Sequence, residues 1–191
     1  MLALNRASGA SNDILSFSET FQEVAVAFAF AAVGAVLASR RSGNAIGWLF
    51  LAFGLVSGLY WLAGQYAFYA LLARPGSLPG GLAVAVGLNG GFVPPVALLT
   101  YIVLLFPTGR LLSRRWRGVA WLACASCAIL LAGATVASER LDTPFETIRN
   151  PVSLGQTWFL LLIIFSGVTG VILSVIAAFA AVVIRFRHGR N

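Results

Sequence analysis

The amino-acid sequence predicts an all-α, polytopic bundle of five transmembrane helices. Three observations carry that prediction. Of 191 residues, 59% are hydrophobic and only 10% are charged, with a mean hydropathy of +0.90. A soluble domain carries roughly a quarter charged residues, because its surface faces water. The apolar residues gather in five stretches of about 20 residues or more, the length that crosses ~30 Å of hydrocarbon at ~1.5 Å per residue. The connections between the stretches also alternate in charge. In lipid, every backbone amide has to be bonded within its own segment or its own closed sheet. A barrel would need alternating strands of about ten residues, and that alternation is absent.

The first stretch covers residues 21–38 and follows a largely polar N-terminal segment, residues 1–20. Its basic residues, Arg40 and Arg41, come after the apolar run instead of before it. That order predicts an anchor with an exported N-terminus, not a cleaved signal peptide. The second stretch, 46–73, follows "SRRSGNAIG" and carries Trp61, Gln65, Tyr66 and Tyr69. The third, 82–106, follows the short turn "RPGSLPGG" and contains "GLNGGFVPPVALL". There Gly90 and Gly91 loosen the helix, and Pro94 and Pro95 remove backbone donors near mid-membrane. A kink is predicted, either as a packing bend or as a hinge facing a ligand.

The fourth stretch, 119–137, comes after "LLFPTGRLLSRRWRG", whose four arginines are Arg110, Arg114, Arg115 and Arg117. It holds a C-x-x-C pair, Cys124 and Cys127. Apolar surroundings and the lack of a second pair favour packing over metal or disulfide chemistry. The fifth, 158–184, follows a longer connection, 138–156, broken by Pro144 and Pro151 and roomy enough for one interfacial turn. A basic tail, 185–191, ends the chain with Arg185, Arg187 and Arg190. The sole histidine, His188, has only arginines beside it and lacks the acid or further ligands that chemistry would need.

Threading the chain through five spans puts nine arginines on one side and four on the other, with all six acidic residues on the side of the four. The positive-inside rule then places the N-terminus outside and the C-terminus in the cytoplasm of a bacterial plasma membrane. The nine arginines are expected to meet anionic headgroups, at about 1 kcal/mol each near the surface. A net charge of +7 does not indicate nucleic acid here, because these arginines punctuate apolar runs and line no folded basic face.

Two carboxamides stand out within the spans. Gln65 and Asn89 fall at matched depth on adjacent helices, about 7–8 Å to the outer side of the midplane. They predict either a direct helix–helix polar contact, worth about 0.6–2 kcal/mol, or an outer-leaflet pocket for an amphiphile, lined by Trp61, Gln65, Tyr66, Tyr69 and Asn89. No P-loop, G-x-S-x-G or H-E-x-x-H motif is present, and no ionisable residue lies deep in a span. No enzyme activity, cofactor or metal is expected.

The motifs "SRRSGNAIGWLF", "YAFYALLARPGSLPGG", "LLFPTGRLLSRRWR", "RNPVSLG" and "VVIRFR" resemble the N-terminal multi-helix membrane region of actinobacterial sensor histidine kinases. The resemblance spans residues 32–187. It implies a sensory input module in a two-component system, read as a truncated or split kinase. The kinase core, its histidine box and its ATP motifs do not appear in these 191 residues. The partners it implies are the anionic bilayer and either a second copy of the chain or a separate kinase subunit. A small transporter or channel subunit, or a purely structural membrane partner, are the alternative readings.

Overall fold

A computed structural model describes residues 17–188, with side-chain surroundings for residues 21–187. Among the described residues all regular elements are helical. They are α1 (Phe17–Arg40), α2 (Ala45–Phe68), α3 (Gly81–Leu88), α4 (Val93–Leu105), α5 (Arg117–Ala137) and α6 (Trp158–His188), with a π turn at Tyr69–Ala73 and a 3-10 turn at Arg114–Trp116. The predicted all-α bundle is thus the observed fold. Four of its helices are long and apolar enough to cross a membrane, and the bent pair α3 and α4 makes a fifth span if taken together. Only 11–28% of each of the four long spanning windows is buried inside the protein. Phe28, Trp121 and Phe165 all project outward. Apolar surface on that scale calls for lipid as solvent, and the chain is a multi-pass membrane protein on those grounds.

Glycines set how closely the helices approach. A Cβ at Gly34 would sit 2.4 Å from the Leu51 amide nitrogen, one at Gly47 2.6 Å from that of Ala38, and one at Gly54 2.5 Å from the Ala27 carbonyl oxygen. The backbones of α1 and α2 therefore touch along their length, as small residues allow in membranes. Phe30 packs on Phe50 and Phe53 in the same seam, with ring centroids 5.1 and 4.3 Å away. α5 and α6 form a second pair, in which Gly167 meets the Leu130 backbone and Gly170 meets Ser126. α4 packs against α2 on one side and against α5 and α6 on the other. Hydroxyls within the spans bond back to their own helices: Thr100 to Val96 O, Thr135 to Leu131 O and Ser174 to Gly170 O. Lipid therefore meets few unpaired polar groups.

The structure departs from the sequence-based expectation at three places. The third span is two helices, not one kinked helix, with a 41° bend across the break. Gly90 has φ +72°, a left-handed conformation that cannot continue a right-handed helix. Pro94 and Pro95 fall in the first turn of α4, where missing N–H groups cost nothing. They start a helix; they do not bend one. The second departure is the π turn after α2, where the Arg74 N–H reaches Tyr69 O at 2.9 Å and Ala70 is brought against Gly81.

The third departure is the connection 138–156, expected to hold one interfacial turn. It forms a short hairpin in which Arg140 pairs antiparallel with Arg149, and Asn150 N–H donates to Glu139 O at 2.9 Å. The buried Asn150 carboxamide donates to Thr135 O at 2.7 Å and Ser138 O at 2.9 Å. It thereby caps carbonyls that α5 leaves open at its end. Leu141 and Phe145 in the hairpin are buried against Ala67, Phe68 and Ala85. Apolar side chains in a mostly polar stretch thus help to fold it onto the helix ends.

Candidate functional site

The two ends of the bundle differ in charge, and each is assembled from distant loops. At the arginine-rich end, Asn44 caps α2 by accepting from Ile46 N–H at 3.0 Å. Gly109 (φ +72°) lies so close to it that a Cβ would meet Asn44 Oδ1 at 2.1 Å. The guanidinium of Arg185, near the end of α6, donates to Phe106 O and Arg110 O. Three of the quoted motifs, "SRRSGNAIG", "LLFPTGR" and "VVIRFR", therefore meet at one junction. Arg185, expected among the arginines that meet anionic lipid, thus also has partners within the protein. One of these carbonyls, that of Phe106, is at the C-terminus of α4, where the helix leaves acceptors unpaired and carries partial negative charge, and the other, that of Arg110, lies in the loop beyond it. Arg40, Arg41, Arg110, Arg114, Arg115, Arg117 and Arg187 are exposed, as headgroup contact requires. Arg190, the side chain of His188 and the segment 1–16 lie outside the described residues.

At the acidic end, α2, the α3–α4 break and the hairpin enclose a cavity of about 190 Å³. Trp61, Gln65 and Phe68 reach it from α2, since positions three and four apart share a helix face. Asn89 comes from the break, and Asp142 and Phe145 come from the hairpin. Asn89 and Asp142 hold each other through the backbone. The Asp142 N–H donates to Asn89 Oδ1 at 2.9 Å, and Asp142 Oδ2 accepts from Gly90 N–H at 2.9 Å. This reciprocal clasp occupies the amide that the broken helix freed. A Cβ at Gly90 would lie 3.1 Å from Ala134, three residues before the end of α5. The clasp thus sits about 4–5 Å below that helix end.

Sequence reasoning placed Gln65 and Asn89 at one level, and they do share the cavity wall, 2% and 1% exposed. Asn89 Nδ2 does not bond Gln65. That nitrogen is buried and has no hydrogen-bond partner, and the same holds for Trp61 Nε1. Tyr66 and Tyr69 were expected in the lining and are not there. Tyr66 lies one residue, about 100°, around the helix from Gln65, and its hydroxyl donates to Pro79 O at 2.7 Å. Tyr69 opens the π turn.

Sequence reasoning missed Asp142, Glu23 and Tyr60. Asp142 hides in a connection that hydropathy assigns to water. Glu23, in the first turns of α1, lines the same cavity. Tyr60 donates to Leu88 O at 3.1 Å while its ring covers Gly91. The order Asp-Thr-Pro after a helix end was the one available signal, because Asp and Pro favour a turn that points a carboxylate at nearby amides. Gly90 and Gly91, predicted as a hinge, permit respectively the left-handed backbone and the close approach of Tyr60. Cys127 packs with Val93 and Leu130, while Cys124 is exposed, and both thiols are free. No group of metal ligands occurs among the described residues.

No protein-family model, curated protein or solved structure matches the chain.

Proposed function

We propose that this chain is the membrane-embedded input module of a bacterial signalling protein. Its acidic end faces outward and its arginine-rich end faces the cytoplasm, as the positive-inside rule requires. The observation that carries the reading is a continuous mechanical path. The cavity is closed by a hairpin clasped to the α3–α4 break, and that hairpin leads into α6, a single helix of 31 residues. Near its far end Arg185 grips the α4 terminus and the loop beyond it. A ligand that moves the hairpin therefore biases α6 and α4 together. A switch needs differential affinity for two arrangements, and the clasp is the element whose closed and open forms supply them. The output passes to a kinase core outside these 191 residues, on the same or a separate polypeptide, and a second copy of the chain supports dimeric signalling.

The test fuses residues 1–191 to a histidine-kinase core and follows autophosphorylation in membranes. Asp142→Ala should shift the basal output and flatten its response to added outer-leaflet amphiphiles. Identical output from wild type and variant under every stimulus would defeat the reading. The broken third span favours one other role, a small transporter subunit, since interrupted helices line substrate sites in transporters. Solute flux into proteoliposomes distinguishes the two.

A further inference from the structure

We propose that the cavity at the acidic end binds a small organic ammonium compound that also carries a hydrogen-bond acceptor, either free or as the headgroup of a lipid. The inference rests on the sensory reading of this cavity and names its ligand class.

Two residues that line this cavity each carry a buried N–H donor with nothing to bond: Asn89 Nδ2 and Trp61 Nε1. Buried donors are almost always paired, so a pair of orphans in one cavity asks for an oxygen acceptor. Asn89 is 1% exposed, and its oxygen is already fixed by the Asp142 amide. The free N–H is thereby held in place and cannot turn away to find another partner.

The mouth has the opposite character. Glu23 and Asp142 are exposed there, and no basic residue is among the described lining. The ring of Tyr60 and the indole of Trp61 stand beside them. Carboxylates together with aromatic faces attract ammonium groups, quaternary ones included. The ligand therefore has its cation at the rim and its oxygen inside. A volume of about 190 Å³ suits a solute somewhat larger than benzene, which fills an engineered cavity of about 150 Å³.

Glu23 and Trp61 also border an apolar trough between α1 and α2, walled by Phe28, Leu55 and Leu62. An acyl chain lying in that trough would deliver its headgroup to the cavity. The shared chemistry is thus an ammonium with a nearby hydroxyl, ester or phosphate oxygen.

The experiment measures equilibrium binding to the full chain in maltoside micelles, and then in vesicles. Choline and ethanolamine probe the free source. Vesicles of phosphatidylethanolamine against phosphatidylglycerol, with the protein's thermal midpoint as readout, probe the lipid source. Saturable binding in either arm supports the proposal, and the arm that responds identifies the source. Trp61→Phe removes one donor and leaves the clasp alone. It should weaken binding about tenfold. Glu23→Gln should weaken binding by a similar factor.

Asn89→Leu should abolish binding, but it also breaks the clasp, so the first two variants decide. The proposal fails if neither arm saturates, if the neutral carbon isostere of choline binds as well as choline, or if neither Trp61→Phe nor Glu23→Gln alters affinity. Failure here with a kinase fusion that still responds to other stimuli removes only the ligand class. Binding without any effect on a fusion removes the sensory reading and leaves the site.

Discussion

Replacing Gly91 with alanine should dislodge Tyr60 from the α3–α4 break. An ideal Cβ at position 91 would lie 1.8 Å from Tyr60 Cε2 and 2.3 Å from its Cζ. Carbon atoms rest at about 3.5 Å or more, so the ring has to retreat by roughly 1.7 Å. Gly91, unlike Gly90, has an ordinary backbone φ, which leaves the clash as the main cost. Retreat sacrifices the bond from the Tyr60 hydroxyl to Leu88 O, about 1 kcal/mol, and overpacks the site at about 1–3 kcal/mol more. The expected loss of stability is about 2–4 kcal/mol. Reversible unfolding in mixed micelles, for Gly91→Ala alone and in a Tyr60→Ala background, measures it as a double-mutant cycle. In the second background the cost should fall below about 1 kcal/mol, the ordinary range for a surface change. Equal cost in both backgrounds would refute the placement of the ring.

Asn150→Ala leaves the carbonyls of Thr135 and Ser138 without their donor. It should cost about 2–3 kcal/mol, and hydrogen exchange should speed up across residues 138–156 before it does in the spans. Arg185→Ala should release the loop after α4, seen as faster exchange at residues 106–110. Arg185→Lys should restore little, since one ammonium on a flexible stem lacks the fork that serves two carbonyls. In a protein lacking Cys124 and Cys127, Thr143→Cys should react with an impermeant thiol reagent on intact cells, and Ser113→Cys only after permeabilisation. The reverse pattern would invert the orientation and with it the direction of signalling.

The spans were legible because each is a long run without internal charge, and lipid enforces that rule on every residue. The break was half legible. Gly90, Pro94 and Pro95 announce it, but only the backbone shows that the prolines begin α4. In the cavity, Gln65 and Asn89 could be found because a carboxamide is conspicuous among apolar neighbours. Asp142 could not, since an acid in a polar connection is ordinary and its partner lies 52 residues away. The carbonyl partners of Arg185 were hidden for a related reason. Sequence counts a cation, while the structure decides whether a headgroup or a helix end receives it. Tyr66 shows the limit of depth arguments, since one step along a helix turns a side chain by about 100°.

The broken span also constrains how the protein is made. An eight-residue helix such as α3 reaches only about 12 Å, too short for the translocon to accept as a crossing by itself. Taken together as one span, residues 81–105 pass into the bilayer as one uninterrupted greasy unit. The carboxylate that ties off the interruption leaves the ribosome 52 residues after Gly90, behind the whole of α5. The break is thus sealed late, once the following crossing is threaded and the hairpin has emerged on the same side.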